Sequence, residues 1–154
     1  MIKVNKIYDI EKIKNEVANL LAEHKLVSNQ LLLQSVKGDD WYNIQAPYMI
    51  KEDLRDWHFD TPNTKKDWEI TRFIEENNIY RTRLMLLKPK NCYSWHKDYG
   101  ERMHLSVITS PDCFFVENKL MVNIPADGHP YIVDVSKHHT ALNCSQYDSY
   151  HLVG

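Results

Sequence analysis

From Ile79 to Gly154 the chain offers eight short strand-like runs in 76 residues, with no helical pattern between them. They are "IYRTRLMLLK", "YSWHKDY", "RMHLSVIT", "CFFVEN", "KLMVNI", "YIVDV", "HTALN" and "YDSYHLV". Pro89, Pro111, Gly128 and Pro130 punctuate them. Strands this closely spaced predict an antiparallel sandwich or barrel. Within the series, "VENKLMV" reads as a hairpin with Asn118 near its turn.

The first half reads differently. Residues 9 to 25 predict an amphipathic helix, with Asp9 as cap and Ile10, Ile13, Val17, Leu20 and Leu21 as one stripe. "LLLQSV" (31 to 36) reads as a strand, and 64 to 78 as a second helix that buries Trp68, Phe73 and Ile74. Between them, residues 37 to 63 are rich in turn formers and aromatics. Such a long connection is expected to cover a binding site. The expected fold is mainly β with N-terminal helices: one domain over 1–154, in which 1–78 supports a β core of 79–154. No repeat or domain linker interrupts it.

Composition narrows the function classes. Apolar residues make up 43% and charged residues 26%, as in soluble globular proteins. Net charge is -2, so there is no basic field for nucleic acid. No apolar run could span a membrane, and the charged N-terminus does not read as a signal peptide. Cys92, Cys113 and Cys144 form no C-x-x-C, and an odd, scattered set argues for a reducing compartment. A cytoplasmic location is expected.

The stretch "YSWHKDYGERMHLSV" (93 to 107) is the odd one. Burying charge without a partner is costly, yet this strand-like run carries His96, Asp98, Arg102 and His104. Alternate residues of a strand share a face, which puts His96 with Asp98. A third ligand from "SKHHTALN", either His138 or His139, completes two imidazoles and one carboxylate. That is the facial triad of non-haem Fe(II) oxygenases, which leaves the opposite face of the metal open.

Read in order, "RLMLLKP", "HKD", "RMHLSVI" and "VDVSKHHTALN" resemble the aspartyl/asparaginyl β-hydroxylase family of Fe(II)/2-oxoglutarate dioxygenases, over about residues 80 to 154. The resemblance implies a double-stranded β-helix (jelly-roll) barrel of eight strands. It makes His96, Asp98 and His139 the metal ligands and the catalytic centre, with His138 outside the set. Arg102 and His104 match an R-x-H pair that lies against 2-oxoglutarate, and Asn143 matches an asparagine that follows the distal histidine. The implied cofactors are Fe(II), 2-oxoglutarate and dioxygen. The implied reaction is hydroxylation of an unactivated C–H bond in a peptide side chain or small molecule.

One departure stands out. The family's last strand carries an arginine for the far carboxylate of 2-oxoglutarate; Ser149 stands there, and no Lys or Arg follows Lys137. The anchor then falls to Arg102, or to Arg83 or Arg81 on the first strand. Two rival readings are a cupin-type metalloenzyme that uses no 2-oxoglutarate and a non-catalytic β-barrel binding domain. His24, His58 and His129 read as surface histidines, His151 and Cys92 as structural, and Trp95 as packing on the face opposite the ligands.

Overall fold

The computed structural model describes all residues, Met1–Gly154. In chain order its elements are β1 (Ile2–Lys3), α1 (Ile10–Glu23), β2 (Gln30–Leu32), β3 (Gln34–Ser35), α2 (Pro47–Ile50), β4 (Thr61–Pro62), α3 (Glu69–Asn77), β5 (Arg83–Leu87), β6 (Asn91–Cys92), β7 (Glu101–Ile108), β8 (Cys113–Glu117), β9 (Leu120–Val122), β10 (Tyr131–Asp134), β11 (His139–Asn143) and β12 (Ser149–Val153). A 3-10 turn occupies Asp56–His58. The protein is mainly β with few helices. It divides into two compact units: Met1–Ile10 with Leu86–Val153, and Glu11–Met85 with Gly154. The N-terminal strand thus groups with Leu86–Val153.

The helical unit follows from the apolar stripes. Ile13, Val17 and Leu20 of α1 are buried, as are Ile70, Phe73 and Ile74 of α3. Both helices come out shorter than their sequence patterns. Trp68 ends as the N-cap of α3 and is only partly buried. The α3 N-terminus is satisfied from α1: both carboxylate oxygens of Glu16 accept from the amides of Glu69 and Ile70, at 2.7 and 2.9 Å. A carboxylate at a helix N-terminus meets both orphan donors and the positive end of the dipole.

The long aromatic connection is not a loose loop. Buried Arg81, held at φ +52°, donates to the carbonyls of Ile44 and Gln45, both at 2.9 Å, and pairs with Asp56 at 3.4 Å. Asn63 donates to the Leu32 and Asp40 carbonyls. Arg81, a candidate anchor by sequence, is spent on this clamp.

The β unit contains two sheets. In one, β1, β10, β7 and β12 are successive antiparallel neighbours. The other runs β6-β11-β8-β9. Phe115 from the second sheet packs with Tyr131, Val133, Val135 and Ile124 in one buried cluster. The hairpin β8–β9 forms where the pattern placed it, and Asn118 and Lys119 take the left-handed turn positions at φ +43° and +74°. Gly128, at φ +80°, lies so close to the Tyr8 carbonyl that a Cβ there would sit 2.5 Å from the oxygen. Only glycine allows that approach, and through it Tyr8 N–H reaches the Gly128 carbonyl at 2.9 Å.

Two expectations change. The strands lie in separate sheets rather than one closed eight-strand barrel. "YSWHKDY" is also not a strand: only His96 makes an isolated bridge, to His139, while the preceding Asn91–Cys92 forms β6. Positive φ at Lys90 and Gly100 brackets this segment. Between them only Tyr93 and His96 are even partly buried, so no apolar face holds a longer ladder.

Candidate metal centre

His96 and His139 face each other through a narrow backbone bridge. The His139 N–H donates to the His96 carbonyl at 2.9 Å, and the His96 N–H returns the bond at 3.2 Å. Thr140 Oγ1 adds a bond to the Tyr93 carbonyl at 2.7 Å, and Tyr93 N–H reaches the Ala141 carbonyl at 3.1 Å. Asp98 N–H is held by the Val135 carbonyl at 2.9 Å. These contacts fix the ligand-bearing loop to β11 and to the end of β10 without a continuous strand.

One ligand atom from each of His96, Asp98 and His139 lies within 4.8 Å of the other two. His96 Nε2 is 3.7 Å from Asp98 Oδ2. The two rings are 4.4 Å apart at 52°. Each histidine also bonds through Nδ1 to a carbonyl two residues back: His96 to Ser94 at 2.6 Å, His139 to Lys137 at 3.0 Å. A carbonyl only accepts, so each Nδ1 carries a proton and Nε2 is the nitrogen left to face a metal. This is how ligating histidines are oriented in metal sites, and the donor set of two imidazoles and a carboxylate fits a divalent transition metal. His139 is buried, and its ring stacks on Phe115 with centroids 5.5 Å apart at 21°. Asp98 is exposed and His96 partly so. The site is braced on the His139 side and open to solvent on the Asp98 side.

The register separates the paired histidines. Across β11 and β8, His139 faces Glu117, Ala141 faces Phe115 and Asn143 faces Cys113. Directly opposite residues share a face, so His139 lies on the inward face with Phe115. His138 is exposed and stacks on Trp95, rings parallel within 3°.

The R-x-H pair also turns inward. Arg102 pairs with Val133 and His104 with Tyr131, and both partners belong to the buried cluster. The His104 ring meets Phe115 edge-on at 5.8 Å, so a line of rings runs from His139 through Phe115 to His104. Arg83 lies in the helical unit, where its guanidinium donates to Gln30 Oε1 at 3.0 Å. Asn143 is buried, with its amide engaged on every side. Nδ2 donates to the Leu87 and Tyr147 carbonyls, and Oδ1 accepts from Ser145 N–H, Ser145 Oγ and Cys113 Sγ. These bonds hold the turn after β11. Ser149 Oγ donates to the Ile108 carbonyl at 3.2 Å. All three cysteines are free, with Cys92 exposed.

Two inward residues carried no motif. Phe115 steadies His139, and its strand pattern marked it only as core. His151 faces inward because a bulge at Tyr150/His151 sets it opposite Ser106. Ser106 Oγ donates to the Ile124 carbonyl at 2.7 Å, so at 2.8 Å it accepts from His151 Nε2. That bond places a proton on Nε2, and burial holds the ring's pKa down at about 4, which keeps it neutral near pH 7. In the unfolded chain a histidine titrates near 6.5. Between about pH 6.5 and 4 the unfolded state binds a proton that the folded state refuses. Stability is thus intact above 6.5 and falls as the pH drops toward 4. A displacement of that size is worth about 3 kcal/mol. His151 keeps part of its surface in water, so about 2 kcal/mol is expected. Urea unfolding at pH 7 and pH 4.5 checks this: wild type should lose that much more stability than His151→Gln. Equal losses would dismiss the ring as the cause.

No helix is long and apolar enough to cross a membrane. No family model and no curated protein matches the sequence. Similar solved structures include a predicted oxalate decarboxylase from Thermotoga maritima, at 23% identity over 53% of this chain and 70% of that one, with a TM-score of 0.41. A cupin domain from Bordetella pertussis is similar at 15% identity over 47% and 76%, also at 0.41. A cupin-2 domain containing protein from Shewanella frigidimarina is similar at 9% identity over 48% and 68%, at 0.39. Below 0.5 these likenesses decide nothing about this chain's chemistry.

Proposed function

We propose that this chain is a mononuclear Fe(II) oxygenase that takes 2-oxoglutarate as cosubstrate and hydroxylates a C–H bond of a small molecule or peptide side chain. The observation that carries the reading is the His96, Asp98 and His139 set, with ligand atoms within 4.8 Å and both Nδ1 protons committed to backbone carbonyls. The β unit is read as a jelly-roll variant, and three free cysteines favour a reducing, cytoplasmic setting.

Fe(II) held by these residues would supply dioxygen activation and the oxidising power for C–H cleavage. The chain's own contribution is positioning. His139 is fixed by Phe115 and the Lys137 carbonyl, His96 by the Ser94 carbonyl. The exposed Asp98 side leaves room for cosubstrate and oxygen. Arg102, on the inward face, offers a planar two-pronged donor to a carboxylate. The buried cluster holds Phe115, the ring that braces His139.

Arg102→Lys should weaken 2-oxoglutarate binding about tenfold while sparing metal affinity, because an ammonium cannot span both carboxylate oxygens. Calorimetric titration of 2-oxoglutarate into Fe(II)-loaded protein under nitrogen measures both. Succinate release in air is the functional check. Ser149 favours a second reading. Its hydroxyl is spent on Ile108 and brings no charge, as a metalloenzyme without an oxo acid would allow. Firm Fe(II) binding with no 2-oxoglutarate binding would establish that alternative.

A further inference from the structure

We propose that the outward face of the metal-bearing segments carries a separate binding site for a small planar organic anion, of the aromatic carboxylate class. A cleft of about 330 Å³ opens there, lined by Trp95, Lys97, Asn118, Ser136, Lys137 and His138. Three of these are chain neighbours of the ligand residues: Trp95 and Lys97 flank His96, and His138 precedes His139. In extended backbone, neighbours face opposite sides. The cleft therefore lies on the other side of the His96–His139 bridge from the metal ligands.

Its chemistry is specific. Trp95 and His138 stack in parallel, within 3° and with centroids 6.1 Å apart, and both rings line the cleft. Lys137 is neutralised, since its ammonium is 3.2 Å from both Glu117 and Asp134. Ser136 is likewise spent on Asp134. Lys97 is not: its ammonium has no ion pair or hydrogen bond within the protein. The Asn118 amide, at the left-handed turn of the β8–β9 hairpin, and the Trp95 indole N–H also lack protein partners. One unpaired cation and two unpaired neutral donors therefore border a stacked aromatic pair. The complement is a ligand with an anionic end for the donors and a planar body to stack. An anion without a ring, or a ring without a charge, would use only half of this surface.

Benzoate is the probe, followed through the Trp95 indole N–H signal in 1H–15N spectra and assigned with Trp95→Phe. Saturable shifts in the millimolar range are expected. Acetate, which lacks the ring, and benzamide, which lacks the charge, should each bind at least about fivefold more weakly. Lys97→Gln should weaken benzoate about tenfold, and Asn118→Gly, which keeps the turn and deletes the amide, by a smaller factor. Lys97 is exposed, so its variant should fold normally. His139→Ala, which disables the metal centre, should leave benzoate binding intact, so the site stands or falls apart from the oxygenase reading. Equal responses to acetate and benzoate, no saturation, indifference to Lys97→Gln, or loss of binding in His139→Ala would each overturn the proposal.

Discussion

His139→Ala should abolish tight Fe(II) binding, with affinity falling by more than about a hundredfold. Disturbing only an outer partner of a ligating histidine already costs about 10–100-fold, and His139 is one of the three proposed ligands. It is also the buried one, stacked on Phe115 and locked through Nδ1 to the Lys137 carbonyl. No other residue can replace it, because its neighbour His138 points the other way. His138→Ala should accordingly change metal affinity less than about twofold. Competition against a chelator of known strength, under nitrogen, measures both. The reverse outcome, with His138→Ala destroying the site and His139→Ala sparing it, would mean that β11 is registered one residue off. Phe115→Ala should fall between them, since it frees the His139 ring without removing a ligand.

Asn143→Ala should be the most destabilising single change in the β unit, at about 3–4 kcal/mol. The side chain is 1% exposed and makes five hydrogen bonds. Truncation leaves the Ser145 N–H and the Leu87 carbonyl without their side-chain partner, and each buried polar group so stranded costs about 1–3 kcal/mol. Asn143→Asp does no better: it keeps the acceptor but sets a carboxylate oxygen against two carbonyls. A shift in the urea midpoint without a change in slope is the expected signature. This result also decides between two roles. A cosubstrate contact would show as weaker 2-oxoglutarate binding in a protein of normal stability. Normal stability in Asn143→Ala would therefore rule out a structural role for the side chain.

The sequence by itself determined the candidate ligand types, their order along the chain and the β character of the second half. Those properties are local: H-x-D spacing, a late histidine pair, and short apolar runs separated by proline and glycine. It marked the helical stripes too, because period 3.6 depends on side chains alone. Which of His138 and His139 turns inward follows from strand parity, but only the pairing of Ala141 with Phe115 says which parity is inward. Asn143 shows the limit of motif transfer. Its position matched, yet what its amide touches depends on Leu87, 56 residues away. Arg83 and Arg81 were candidates because both carry charge on the first strand; long-range contacts to Gln30, and to Ile44, Gln45 and Asp56, gave them other work. The inward turn of His151 rests on a bulge, which leaves no mark in alternation. Donor and acceptor chemistry is written in residue types, but whether a donor is spent or free is decided by what folding brings within about 3 Å of it.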